Sequence, residues 1–321
     1  MTAHARLWGT LPSRYADRRV ATSTVDAAGR IVAFLVAPDA RCWVRGPAPD
    51  PYTATIVVLD GKDVTEVAVP DLDLHFPKVD VLGDGFVLAD ARCRMPEGPA
   101  PESVAELEAQ IPRNARVIGA DGSTRGTFHA GDGIEYLMTD AAGDIWIGYF
   151  DEASVCVPLP ERPPRSRGRA EPARPFRTML DRPGLIRWTG DGTAAWLAAY
   201  DGNGPRSGWL DCYSLNVGAT RTWACPYTGF PLVEIDGAGV RCVRRNPIHW
   251  AFAVLVAGDR LAFATYDDGE VTMRFGRVTD GPIEATTSEP LHLPGSAPRA
   301  VAARDDRMWM AVGSSWHVVT I

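Results

Sequence analysis

The sequence has no apolar run approaching the ~20 residues that a membrane-spanning helix needs. Its first twenty residues carry Arg6, Arg14, Arg18 and Arg19 with no apolar stretch behind them, so neither a secretory signal nor a membrane anchor is read there. A cytoplasmic location is expected. No pair among Cys42, Cys93, Cys156, Cys212, Cys225 and Cys242 is spaced CxxC, which excludes a zinc ribbon and a thioredoxin motif. The thiols are then expected to be reduced small hydrophobes in blade packing, although five of them map near one face, where a soft-metal site or a reactive thiol is the alternative. There is no GxxxxGK[ST], no GxGxxG after a strand, no HExxH and no GxSxG. Nucleotide-dependent transfer and hydride transfer are disfavoured, and neither an organic cofactor nor a resident metal is expected. Excess positive charge is also missing: the formal net charge is −7. A nucleic-acid partner needs a basic face, and the one Arg-rich stretch has no interleaved aromatics to stack bases.

Helical periodicity is scarce as well. What is present is Gly 31, Pro 26 and Trp 10, together with a unit that recurs. An apolar strand runs into an Asp/Gly turn and then into a strand rich in aromatic and small residues. The six copies are VDAAGRIVAFLVA (25–37), VLGDGFVLADARC (81–93), TDAAGDIWIGYFD (139–151), NVGATRTWACPY (216–227), VAGDRLAFATYDD (256–268) and ARDDRMWMAVGSS (303–315). Each is a hairpin signal. Six units over 321 residues give a period of about 53, close to that of four-stranded propeller blades plus their loops. The expected fold is all-β: one domain over 1–321, a six-bladed β-propeller of four-stranded antiparallel blades. Blade 3 is expected over 134–140, 144–151, 184–189 and 194–200. Blade 6 (299–304, 307–314, 316–321) is one strand short, and the segment HARLWGTL (4–11) is expected to complete it and close the ring. Two inserts stand out. A short helix is expected at about 102–110, with Ser103 and Glu106 at capping-box spacing. A Pro/Arg-rich loop is expected over 157–183, either a solvated linker or a lid and docking segment for an anionic ligand or acidic partner.

With the strands placed, the chain resembles in architecture the six-bladed propellers of the NHL, SMP-30/gluconolactonase and strictosidine-synthase type. The segments DIWIGYFDE (144–152), DCYSLNV (211–217) and WACPYTGFPLV (223–233) resemble more closely a group of actinobacterial propeller proteins. The resemblance implies the fold. The calcium ligand set of the SMP-30 enzymes does not map onto this chain residue by residue, so that activity is not carried over.

In such a ring the B–C and D–A connections share one face, and here they are the long, varied ones. A site is expected over the central channel on that face. Polar residues at the strand ends opening there are the candidates. For proton transfer they are Tyr149, Asp151, Glu152, Asp211, His249 and Asp267; for substrate contact, Tyr213, Tyr227, Trp250, Arg244 and Tyr266. His75 and His129 precede the A strands of blades 2 and 3. Carboxylates with a His on one rim suit lyase, isomerase or hydrolase chemistry on a polar or aromatic metabolite, and aromatics supply stacking surface. The same acids can instead accept backbone N–H groups at blade corners. Two other functions stay open at this point: a monomeric scaffold binding a protein partner, and a lactonase or lyase using a divalent cation.

Overall fold

The computed structural model describes residues 4–43, 49–93, 104–157, 179–295 and 298–321. Six antiparallel sheets form six blades around a central channel, each with four strands ordered A-B-C-D outward from the axis, and the third with one further short strand off that path. The A strands are Arg19–Val25, Pro77–Leu82, Asp132–Thr139, Asp211–Val217, Ala253–Ala257 and Arg299–Arg304. The sixth sheet pairs Ala5–Thr10 with Ser315–Thr320, in register Ala5 to Val319 and Thr10 to Ser315. The first strand therefore closes the ring.

The repeated turn has a local cause. In VDAAGR, Asp26 Oδ1 accepts the backbone N–H groups of Ala28 and Arg30, and Oδ2 takes Arg30 Nε. In TDAAGD, Asp140 Oδ1 accepts Ala142 and Asp144, and Oδ2 takes Trp146 Nε1. An Asx turn of this kind folds from residues at most six apart. Gly29 and Gly143 follow with φ of 85° and 87°, a conformation in which a Cβ is strained. The strands they join are apolar on both faces because neighbouring blades cover both: every residue of Ile31–Val36 is buried.

The inner ends of the blades meet in one buried knot. Val25, Thr139, Val217 and Arg304 are each the last residue of an A strand. Arg304 donates to the carbonyls of Val25 (2.8 Å), Thr139 (2.7 Å) and Val217 (3.3 Å), and to the carboxylate of Asp80 (2.8 Å). Asp80 is fully buried and also accepts from Thr139 N and Val81 N, while the Thr139 hydroxyl, 3.2 Å from Asp80, lies nearer the Val81 carbonyl at 2.7 Å. Burial pushes its carboxyl up and Arg304 pulls it down; with the Arg304 guanidinium and two backbone N–H groups on its oxygens, the ionised form is the one the geometry fits. Asn216 ties in the remaining blade, donating to the carbonyls of Val254 and Asp305. Among the described residues this knot crosses the channel at the end bearing the A–B turns, and the two cavities lie on the loop-bearing side.

Blade 3 departs from expectation. Its B strand runs from Ile145 to Cys156 instead of stopping at 151, and pairs beyond the C strand with Met179–Asp181. Those three residues fall inside the expected 157–183 loop, so that loop is shorter at its C-terminal end. The extension is held because Val155 and Val157 bury their side chains under blade 2 connections. Residues 158–178, with most of the arginines, and Ser103 lie outside the described residues. The helix itself is found at Val104–Gln110.

His129, expected on the rim, is buried and pins this extension. Pro112 O can only accept, so His129 Nδ1 carries the proton toward it (2.8 Å), and Nε2 accepts the Cys156 N–H (3.1 Å). Burial lowers the affinity of the ring for a second proton. A basic group depressed in the folded chain stabilises fully above its unfolded pKa of ~6.5 and loses that contribution as pH falls below it. We expect the urea midpoint of the wild type to drop more between pH 7.5 and pH 5 than that of His129→Gln. Equal drops would show that the ring carries no linked proton. Asp90 and Asp211, whose carboxyls are pushed up, contribute with the opposite sign in both chains.

Candidate functional site

The open end of the channel is built from the starts of the A strands of blades 2 to 5 and the ends of their B strands. Two cavities meet there. The larger, about 480 Å³, is lined by His75, Lys78, Arg92, Asp132, Glu135 and Phe150 among others. The smaller, about 120 Å³, continues down the channel between Thr22–Thr24, Val79, Tyr136–Met138 and Val301. Lys78 and Glu135 line both. Tyr136 spans the opposite wall, its hydroxyl shared between the carbonyls of Tyr213 (2.8 Å) and Phe252 (3.1 Å).

The charges at this mouth are not ordinary. Asp211, at the start of the blade 4 A strand, is pushed up to about 6 by burial, then by the like charges of Asp151 and Glu135. Asp90, at the end of the blade 2 B strand, is pushed up to about 7, chiefly by burial, against the backbone N–H groups of His75 and Arg92. Lys78 donates to the Glu135 carbonyl at 2.6 Å, and burial holds its ammonium below the usual lysine range. Arg92 is committed to acids, at 3.2 Å from Asp132 and 3.6 Å from Glu152, and lies over the Phe150 ring.

Beside Asp211 stands an aromatic cluster. Tyr213, Tyr227, Phe230 and Trp250 contact one another with ring centroids 4.6 to 6.1 Å apart. The rings are too close to enclose a ligand, so the cluster offers an outer face. Trp250 presents it, 57% exposed, and His249 stacks on Phe230 at 5.3 Å.

The residues proposed from sequence thus divide. Asp151, Asp211, Tyr213, Tyr227, His249 and Trp250 come together around the mouth. Tyr149 does not: it is fully buried within blade 3 and its hydroxyl donates to Ala130 O at 2.6 Å. Burial keeps its phenol well above the usual range. The rim position expected for it fails because the B strand continues past it. Arg244 pairs with Glu234 (2.9 Å) on its own blade, and Asp267 with Arg274 (2.7 Å) on blade 5. Glu152 is exposed at the outer side of Arg92. Tyr266 stacks on Phe252 at 4.5 Å on the blade 5 rim. Lys78, Asp90, Glu135 and Phe230 were missed. A residue count would have flagged one of them: of 33 lysines and arginines only Lys62 and Lys78 are lysine.

Among the described residues no group of three or more His, Cys, Asp or Glu is placed to hold a metal ion, and no helix is long and apolar enough to cross a membrane. No family model matches the chain, and no curated protein matches it. Solved structures do. A streptogramin B lyase superimposes with a TM-score of 0.50 at 11% identity, over 99% of this chain and 97% of that one. Virginiamycin B lyase from Staphylococcus aureus gives 0.49 at 13%, over 100% of both chains. A luciferin-regenerating enzyme gives 0.46 at 10%, over 100% and 96%. At these identities the likeness is one of fold: the chain is a six-bladed propeller, an architecture that enzymes share.

Proposed function

We propose that the protein is an enzyme that binds a small polar molecule carrying a planar ring at the channel mouth and moves a proton on it. Lyase and isomerase chemistry fit best. The observation that carries this reading is the meeting of Asp151, Asp211 and Glu135 from adjacent blades at the loop-bearing end of the channel, with Asp211 pushed up to about 6. A carboxylate of that basicity suits a general base at neutral pH. The Tyr213, Tyr227 and Trp250 face supplies the stacking surface for the ring.

The test is a melting-shift screen of aromatic and polar metabolites, followed by turnover of the hits. Asp211→Asn keeps the shape and is expected to lower kcat about 10²- to 10⁴-fold with a smaller change in KM. It should also remove the acid limb that is expected near pH 6 for the wild type. Trp250→Ala is expected to raise KM about three- to tenfold, the worth of one aromatic contact, with kcat little changed. Absence of any stabilising ligand, or a fully active Asp211→Asn, would overturn the assignment. Trp250 and Tyr266, each more than half exposed on the same rim, favour a protein-binding face as the second reading. In that case a small ligand would not compete with the bound partner.

A further inference from the structure

We propose that Lys78 is an amine nucleophile that captures an aldehyde or ketone as an imine at the channel mouth. This rests on the reading of the mouth as a small-molecule site and assigns its substrate class: a carbonyl compound.

Among the described residues the ion pairs within 4.0 Å are made by arginines. Arg304 holds the axial knot, and Arg14, Arg92, Arg116, Arg125, Arg221 and Arg277 make ion pairs across strands and turns. Only two positions are lysine. Lys62 is exposed in the C–D turn of blade 1, on the face bearing the A–B turns. Lys78 lies in the A strand of blade 2 at the junction of the two cavities and lines both. Among the described residues it forms no ion pair within 4.0 Å, and its recorded partner is a neutral carbonyl, Glu135 O. A guanidinium at this place would bring more hydrogen bonds and a permanent charge. What it could not do is lose a proton. Burial favours that loss for Lys78, because it disfavours the charged form, and only the Glu135 charge opposes it.

A neutral Lys78 amine can add to a carbonyl carbon lying in the larger cavity. Nitrogen forms the new C–N bond as the C=O π bond breaks, and one of its protons passes to the oxygen, giving a carbinolamine. The second N–H proton goes to that hydroxyl, which leaves as water while the nitrogen lone pair closes the C=N bond of the imine. The sum is amine plus carbonyl giving imine plus water, with no oxidant or reductant required. Glu135 lines both cavities beside Lys78 and is placed to relay these protons from nitrogen to oxygen. The protonated imine draws electrons from the neighbouring C–H bond, and Asp211 is then the base that removes that hydrogen.

The experiment is competitive reductive methylation of the whole chain with formaldehyde and cyanoborohydride at pH 7, read by peptide mass mapping. Formaldehyde needs no recognition by the site, so the measurement reports on the amine alone. Lys78 is expected to acquire methyl groups faster than Lys62, since an amine held below the usual lysine range is neutral in a larger fraction of molecules at pH 7. Its rate should also level off at lower pH. A Lys78 that is labelled no faster than Lys62 is an ammonium fixed on the Glu135 carbonyl, and the inference fails. If Lys78 is labelled fast while no metabolite in the melting-shift screen stabilises the chain, the mouth reading falls and the reactive amine stands. If ligands bind and Lys78 is slow, the reverse holds.

Discussion

Deletion of residues 1–11 is expected to yield chain that does not melt cooperatively and that aggregates during expression. The deletion removes the whole outer strand of blade 6 and bares the backbone edge of Ser315–Thr320. An unpaired edge of this kind templates pairing with another chain. It also removes Trp8, which packs edge-on against Trp309 at 6.1 Å and donates its indole N–H to the carbonyl of Gly29 in blade 1. Truncating a buried Trp costs about 3–5 kcal/mol; Trp8 is half-buried, and the whole pairing of Ala5–Thr10 with Ser315–Thr320 is lost with it. Against a total stability of ~5–15 kcal/mol the ring has little left. Size-exclusion chromatography and a far-ultraviolet melt decide the matter: a soluble monomer melting near the wild type would mean that the first strand is an accessory to the ring.

The second large effect is expected from Arg304→Met. Methionine fills similar volume and leaves Asp80 charged and buried without its counter-ion. Breaking one side of a buried pair costs about 3–5 kcal/mol, which for a domain of this size lowers Tm by on the order of 10 °C. The knot differs from an isolated ion pair in a way the double variant reveals. Replacing both partners of an ordinary buried pair with apolar residues is often neutral. Here Asp80→Leu with Arg304→Met still strips the carbonyls of Val25, Thr139 and Val217 of their donor, and each unsatisfied group costs about 1–3 kcal/mol. The double variant is therefore expected to stay well below the wild type in a urea titration. Recovery to within about 1 kcal/mol would show that the three carbonyls find other partners and that the knot is only a pair.

Both effects concern residues whose significance differs in how far it can be read from the chain. The closing strand was legible, because HARLWGTL is left over at one end and a blade is one strand short at the other. The knot was not. Asp80 sits in KVDVL and Arg304 in VAARDD, each an unremarked polar residue near a hairpin, 224 positions apart. The same holds at the mouth. Asp211, Tyr213, Tyr227, His249 and Trp250 were expected at the mouth from their places at or just before strand ends on the loop-rich side, and Asp151 from a strand end that the structure moves to Cys156. Lys78 and Glu135 lie within A strands, where alternation suggests burial or solvent and gives no sign of an axial cavity. Tyr149 was misplaced because nothing in DIWIGYFDEASVC announces that the strand continues to Cys156.

The sequence by itself determined the blades, their number and the turns between their strands. Those depend on alternation of apolar residues and on Asp side chains bonding to backbone groups a few positions away, and such interactions exist before the ring closes. Only the tertiary structure decided on which side of the ring the cavities lie, that Asp211 faces the charges of Asp151 and Glu135, and that Lys78 lines both cavities. These follow from six A strands converging on one axis, so that residues from five blades come within contact distance through ring closure and not through any spacing along the chain.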